Sequence, residues 1–323
     1  MISDKAGGST STSSADPTKA AKPAWQSEAI ARLEQLSRHD PGGRGLPSTA
    51  PAGLLEPAAL TLLASSRVII VTGFCVRSAM IGETDGPSGA SALAACLLGL
   101  GKKVTILTDK YSSNLVASAL AVHSPPAGTD PGLPISVVVL PDDDGNAAQA
   151  CMALAHDFEP DLIIAVERPG TAEDGHRYSM RGTILDDIAP PADILFTASE
   201  NRRWTTAAIG DGGNELGMGS LRDTCVSAVT MGEQIFCTSN SDFPVAAGIS
   251  NWGAYALAGA VSILAGRAVL PSPEEELSSL QAVYKAGGVD GATREHTCTV
   301  DSLPADEYLH TIRQMNKLVM ESL

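Results

Sequence analysis

The chain has 323 residues, 44% of them hydrophobic but only 4% aromatic, and a formal net charge of −15. Such an excess of acid repels phosphate backbones and anionic lipid surfaces, and no local basic patch offsets it, so nucleic-acid and membrane partners are not expected. Six cysteines (Cys75, Cys96, Cys151, Cys225, Cys237, Cys298) form no C-x-x-C pair and several lie in apolar runs, which reads as reduced core thiols of an intracellular protein.

Residues 1–24 are rich in Ser, Thr, Ala and Gly and carry Asp4 and Asp16, a composition expected of a disordered tail and not of an Arg-rich transit peptide. No apolar run reaches the roughly 20 residues of a bilayer span, and the N-terminus lacks a secretory h-region, so the expected location is cytoplasmic, with the mitochondrial matrix as the alternative. Residues 25–323 are expected to form a single α/β domain. An amphipathic helix over 25–39 is broken by "PGGRGLPSTAPAG" (41–53), and a second helical stretch covers about 54–64. Short β-branched runs follow at 67–73, 102–109, 134–140 and 161–167, separated by helical stretches at 88–101, 112–122 and 146–157. Strands alternating with helices imply parallel pairing, hence a three-layer αβα architecture with a mostly parallel, Rossmann-like open sheet. Residues 193–199 and 205–210 are candidates for further strands, and 244–266 reads as a loop entering a long buried helix. Helices over 271–287, with Ser272 as N-cap and acids in the first turn, and over 303–320 complete the pattern.

In an open parallel sheet the ligand crevice lies beyond the carboxyl ends of the strands, so the segments just after each run carry the functional reading. After the first comes "GFCVRSAMIGETDGPSGA" (73–90), with Glu83, Asp85 and the turn Gly86-Pro87-Ser88-Gly89; this turn is either an anion site at a helix N-terminus or merely a helix start. The stretch from 167 to 182 holds Glu167, Arg168, Arg177 and Arg181. Guanidinium groups grip carboxylates through paired hydrogen bonds, so these arginines suggest an acidic small molecule, against the alternative of structural ion pairs. His176 in the same loop is a base or simply an exposed side chain. "AAIGDGGNELGMGS" (207–220) sets Asp211, Asn214 and Glu215 among five glycines, bare backbone beside oxygen ligands of the kind hard divalent cations prefer. Finally "GISNWGAYA" (248–256) places Ser250, Asn251 and Gly253 at a helix start, with Trp252 and Tyr255 as packing or substrate contacts.

The segment G-D-G-G-N-E resembles the metal loop of haloacid-dehalogenase-like phosphatases, which would imply a Mg²⁺-dependent phosphohydrolase, but no Asp-x-Asp follows an early strand. A Walker lysine and a G-x-G-x-x-G fingerprint are missing as well, which argues against a nucleotide. Taken in order, "ETDGPSGA", "VERPG", "DGHRYSMRG", "IGDGGNELGMG" and "SNWGAYALA" resemble the motifs of the D-glutamate cyclase family over residues 67 to about 265. The resemblance implies reversible dehydration of D-glutamate to 5-oxo-D-proline. The animal members carry a further N-terminal region, which is not expected here with roughly 65 residues before the first strand. It further implies that Asp85, Asp211 or Glu215 hold a divalent cation, Mn²⁺ or Mg²⁺, and that Glu83 or Glu215 is the general base, with Asp211 and Glu215 both catalytic. Arg168, Arg177 or Arg181 would hold the α-carboxylate, with Gly86, Ser88, Gly89, Asn214 and Asn251 as neutral substrate contacts. A homo-oligomer is compatible with this reading. A non-catalytic module that binds an acidic metabolite is the rival of a different class; it would need the arginines but not the acids.

Overall fold

Six apolar runs pair side by side into one parallel sheet: β1 (Arg67–Thr72), β2 (Lys103–Thr108), β3 (Ser136–Val139), β4 (Leu162–Val166), β5 (Thr205–Gly210) and β6 (Phe243–Ala246). Residues 23–123, 135–197 and 202–323 are described by the structure, a computed structural model. Most of the expected tail, residues 1–22, lies outside them, as does Pro134 of the expected third strand. The strand order is β3-β2-β1-β4-β5-β6. Val68 stands opposite Val104 on one side and Leu162 on the other, so the direction of winding reverses between β1 and β4. That reversal is the switch point of a doubly wound sheet, and it opens a crevice just past Thr72 and Val166.

Side chains alternate strictly across the sheet. Val68, Ile70, Leu162, Ile164 and Val166 join one core, while Ile69, Val71, Ile163 and Ala165 join another. Both faces are apolar, which is why these strands read as continuous hydrophobic runs and not as alternating ones. The first face is covered by α3 (Pro87–Gly99) and α6 (Ser250–Ala265) lying side by side, α3 wholly buried, with small residues such as Ala90, Ala94, Ala254 and Ala258 letting the backbones approach. Around them pack α1 (Ala24–Ser37), α2 (Leu55–Ala64), α4 (Ser113–Leu120), α7 (Pro273–Lys285) and α8 (Ala305–Glu321). The second face is covered by α5 (Asp144–Phe158) and by irregular chain between residues 168 and 197. Among the described residues no helix is long and apolar enough to cross a membrane. All six cysteines are free, and Cys298 alone of them is not fully buried.

Two sequence expectations are corrected. The candidate strand at 193–199 contains a helical turn, Ile194–Thr197, with residues 198 and 199 outside the described set. Asp193 causes the turn: its carboxylate accepts from the Thr171 amide (2.9 Å) and the Ser239 hydroxyl (2.6 Å), and its carbonyl accepts from the amides of Phe196 and Thr197. A four-residue apolar run has no periodicity that separates a strand from such a turn. Conversely, residues 244–246, expected as loop, belong to the sixth strand, Phe243–Ala246. It contains Pro244, which removes one ladder donor, and its place at the sheet edge makes that loss tolerable.

The start of α7 follows expectation, since Ser272 accepts from the Glu275 amide and Glu275 returns the bond in a capping box. Glu276, an acid in that first turn, is fully buried instead, accepting from the Ser88 hydroxyl (2.7 Å) and the Tyr308 hydroxyl (2.5 Å). Burial holds its carboxyl above the usual range, with the Tyr308 and Ser88 bonds opposing. A group with a raised folded-state pKa contributes stability below its unfolded value that is lost as pH rises through the folded value. Unfolding free energies measured in urea across a pH series are therefore expected to fall for the native protein relative to Glu276→Gln by up to about 1.4 kcal/mol per pH unit above the usual glutamate range. Parallel curves for the two proteins would show that Glu276 is not the proton carrier inferred here.

Candidate active site

The crevice at the switch point is framed by two helix starts that cap each other. The Asp85 carboxylate, just after β1, accepts from the amides of Ser250 (2.9 Å) and Asn251 (2.7 Å) at the start of α6 and from Gly86 (3.0 Å). Asn251 answers by accepting from Gly86 (3.0 Å) and Gly89 (2.7 Å) at the start of α3, while its amide nitrogen donates to the Thr84 carbonyl (3.1 Å). Each free helix terminus thereby finds a side-chain acceptor. The anion site expected at Gly86, Ser88 and Gly89 is therefore occupied by the protein itself: Asn251 takes the two glycine amides, and Ser88 donates to Glu276. None of these residues, nor Asn251, lines the cavity described next, so their expected substrate contacts give way to a framing role.

The glycine-rich stretch after β5 has a similar logic. Glu215 folds back so that one oxygen accepts from the amides of Asp211 (3.0 Å) and Gly212 (2.7 Å) and the other from Gly213 (2.7 Å). Gly213 has a φ of +88°, and a side chain there would run into the Phe236 ring at 2.5 Å, so glycine alone lets the amides converge. Glu215 is thus the keystone of the loop, with both oxygens engaged by backbone. This differs from the base and ligand roles expected of it, because Glu215 is not among the residues that line the cavity. The loop it shapes aims Asp211 and Asn214 inward, Asn214 being held by its donation to the Tyr178 carbonyl (2.8 Å).

A cavity of about 430 Å³ opens at this point. Its floor is acidic: Glu83, Glu167, Asp211 and Asp301 line it, Asp85 lies beside them, and none of the five is more than 8% exposed. Single carboxylate oxygens of Asp85, Glu167 and Asp211 all lie within 4.8 Å of one another. Arg44 reaches in from the loop after α1 and pairs with both Asp211 and Asp301. Its backbone is fixed because Asp40 accepts from the amides of Arg44 (3.1 Å) and Gly45 (3.0 Å). Four acceptor atoms of the cavity remain buried without a partner: Glu167 Oε2, Asp211 Oδ2, Asn214 Oδ1 and Asp301 Oδ2. One wall is apolar, formed by Phe74, Cys75, Val76 and Leu185.

Charge crowding shifts the acids upward. Burial, then Asp301 and Asp85, raises Glu83 well above the carboxylate range; burial, then Glu215, Asp85 and Glu83, does the same to Glu167. Asp211 is raised by burial, opposed by Arg44, with Glu167 and Asp301 adding to the rise. Asp85 is raised to about 7 by burial and Asp301, against the pull of the Asn251 and Ser250 amides. Burial works against the Arg44 charge, yet Asp211, Asp301 and Glu167 hold it well above its ordinary value.

The three arginines expected to grip a substrate separate. Arg168 is completely buried, paired with Asp109 and donating to the carbonyls of Gly73 (3.0 Å) and Pro190. Arg177 is buried on Asp144 (3.0 Å) and the Asp186 carbonyl (3.2 Å). Neither reaches the cavity, because in an acid-rich chain each finds a carboxylate partner at its own site. Arg181 does line the cavity, donating to the carbonyls of Gly291 and Ala292 across its mouth. His176 faces Asp186 (2.6 Å) outside it. Of the expected set, the structure brings Glu83, Asp85, Asp211, Asn214 and Arg181 together, and adds Glu167, Arg44 and Asp301. Glu167 was legible as the first residue past β4. It has a φ of +45°, uncommon without a glycine. Arg44 and Asp301 carry no local signal, since Arg44 precedes Asp211 by 167 positions and Asp301 follows it by 90, and only the fold brings them together. As a check on these placements, Arg168→Met is expected to lower stability by about 3–5 kcal/mol in urea denaturation by stranding Asp109. A variant of unchanged stability with a raised KM would return Arg168 to the substrate.

A family model described as D-glutamate cyclase-like, C-terminal, matches residues 33–316. The human protein named D-glutamate cyclase, mitochondrial, is 36% identical over 251 residues, which are 75% of this chain and 40% of that protein. The chain thus spans about two fifths of the length of that relative. With the acid floor and switch-point cavity lying inside the matched residues, the chain belongs to the D-glutamate cyclase-like, C-terminal family.

Proposed function

We propose that the protein is a D-glutamate cyclase, a hydro-lyase that reversibly dehydrates D-glutamate to 5-oxo-D-proline. The observation that carries this reading is the set of unpartnered buried acceptors, Glu167 Oε2, Asp211 Oδ2, Asn214 Oδ1 and Asp301 Oδ2, on the floor of one cavity. Buried acceptors without donors call for a ligand rich in N–H groups or for a cation. An α-amino acid brings an ammonium, and the apolar wall of Phe74, Val76 and Leu185 suits its methylenes. The name of the human relative points to the same reaction.

Ring closure needs the ammonium to lose protons and its nitrogen to attack the γ-carboxyl carbon. One C–N bond forms and one C–O bond breaks; the two protons lost by nitrogen are the two that the departing oxygen takes up as water, so no co-reactant is required. Asn214 and Asp301 orient the nitrogen by accepting from it, which adds chiefly alignment to a reaction already intramolecular. Glu83 carries the proton between nitrogen and the departing oxygen, and burial that raises its affinity for a proton suits it to both halves of that transfer.

The residues also fit a divalent cation. Asp85, Glu167 and Asp211 offer converging hard oxygen donors, two of them with an orphaned buried oxygen, and the group itself includes no cysteine or histidine, which favours Mn²⁺ or Mg²⁺ over Zn²⁺. When bound there, such an ion would act as a Lewis acid toward the γ-carboxyl. Cytoplasm remains the proposed location, with the mitochondrial matrix as the alternative in keeping with the relative's name.

Chiral chromatography of D-glutamate and 5-oxo-D-proline incubated with purified protein tests the reading in both directions. Glu83→Gln and Asp211→Asn are each expected to lower kcat by at least about 100-fold while remaining folded. Exhaustive chelation is expected to abolish turnover and Mn²⁺ or Mg²⁺ to restore it. Binding of D-glutamate without conversion under any metal condition would replace the enzyme by a metabolite-binding module.

A further inference from the structure

Four arginines line the cavity, Arg44, Arg77, Arg181 and Arg294, in a chain with 22 basic residues against 37 acidic ones. Three are engaged by the protein. Arg44 is shared between Asp211 and Asp301 on the floor. Arg77 pairs with Asp187 and donates to the Ile184 carbonyl (3.0 Å). Arg181 bridges the mouth to the carbonyls of Gly291 and Ala292. Arg294 makes no side-chain hydrogen bond or ion pair with the described residues.

A free arginine at a surface is ordinary; the way this one is mounted is not. Asp290, completely buried, accepts from the Thr293 amide (2.7 Å) and the Thr299 hydroxyl (2.6 Å), and its carbonyl accepts from the Arg294 amide (2.6 Å). Arg294 itself is held at a φ of +64°, a left-handed conformation that a non-glycine residue adopts only where its surroundings enforce it. The same segment passes over the floor at Gly291, where a side chain would come within 1.7 Å of Glu83 Oε2. The loop thus carries, among the residues lining the cavity, one guanidinium without a protein partner, three positions beyond the point where its backbone passes Glu83.

We infer that Arg294 anchors the α-carboxylate of the substrate and thereby selects its handedness, an inference that rests on the cyclase reading above. The reacting nitrogen and γ-carboxyl carbon must meet at the acidic floor, which leaves the α-carboxylate, repelled by those acids, to find a partner elsewhere. The α-carboxylate is the exocyclic group of the forming ring, so it points away from the floor toward the mouth, where the one unspent guanidinium stands. It survives the reaction unchanged and is present in both D-glutamate and 5-oxo-D-proline. With nitrogen and γ-carboxyl carbon fixed, inverting the α-carbon exchanges its carboxylate with hydrogen, and the L-enantiomer misses Arg294.

Arg294→Ala is expected to raise KM by at least tenfold for both D-glutamate cyclisation and 5-oxo-D-proline hydrolysis, and to shrink the D/L ratio of kcat/KM by a similar factor. Arg294→Lys should recover part of the KM but little of the D/L ratio, since it keeps charge without the planar fork. Thermal unfolding should be the same in all three proteins without ligand, because the side chain has no internal partner. Unchanged KM values, or a D/L ratio untouched by Arg294→Ala, would overturn the assignment; a KM raised for D-glutamate only would move Arg294 to the γ-carboxylate and overturn it as stated. Calorimetric titration of 5-oxo-D-proline into native and Arg294→Ala protein separates the two levels. Binding lost in the variant, in a native protein that turns nothing over, would sink the cyclase reading and keep the anchor, whereas a native protein that binds neither compound would sink both.

Discussion

Five carboxyl groups, Glu83, Asp85, Glu167, Asp211 and Asp301, are sunk into one end of the sheet beside Arg44, and the site follows from how that concentration of acid is tolerated. An ionised carboxylate removed from water without compensation costs several kcal/mol. The protein applies a different remedy to each member. Asp85 receives three backbone amides, Asp211 and Asp301 share a guanidinium, and Glu83 and Glu167, which receive neither, are held, like Asp211, well above the carboxylate range by burial. The outer oxygens of Glu167, Asp211 and Asp301 are left over. A ligand that brings positive charge supplies the missing remedy, so the same crowding that disfavours the empty site favours an ammonium or a cation in it.

The scaffold makes such crowding possible by bringing two helix starts to the same place. α3 and α6 both begin at the crevice, and the positive ends of their dipoles lie against Asp85. Asp85 and Asn251 exchange caps across the two helices, so displacing either helix would uncover amides on both. Asp85 is therefore held by the packing of α3 against α6 and not by loop conformation. Glu215 does the equivalent work for the loop after β5, drawing three amides inward and leaving Asp211 and Asn214 as the side chains that face the cavity. Acids that look alike in sequence thus divide into those that shape the site and those exposed to its ligand.

The sheet was legible from sequence because strands buried on both faces must be apolar throughout, and the strand-end rule led directly to Glu83, Asp85, Asp211 and Asn214. Legibility failed where a residue's partner is set by tertiary contact. Arg168 and Arg181 lie thirteen positions apart in one arginine-bearing stretch, yet one is an interior counter-ion to Asp109 and the other spans the cavity mouth. Glu215 and Asp211 share one motif, and only the hydrogen bonds of the folded loop tell the cage from the contents. Arg44 sits in a stretch that reads as a helix breaker, and Asp301 follows a short hairpin strand, Thr299–Val300. Both reach the floor because α1 and α8 pack on the same face of the sheet, which no local pattern announces.

On the cyclase reading, the polarity of the cavity also bears on which ligand it holds more firmly. D-glutamate presents an ammonium to the acidic floor, whereas the lactam nitrogen of 5-oxo-D-proline is neutral and donates one N–H. The floor therefore loses a charged partner as the ring closes, while the α-carboxylate at the rim keeps its own. Interactions that weaken along the reaction ease release of the product, and interactions that persist keep the ring oriented until the C–O bond has broken. A site acidic at its base and cationic at its mouth separates these two tasks, and a floor of uniform charge would fuse them. This division gives a physical reason for four arginines and four acids to line one cavity without simply neutralising one another: Arg44 alone pairs with the acids of the floor, Arg77 and Arg181 are tied to other parts of the protein, and Arg294 makes no side-chain bond to the described residues.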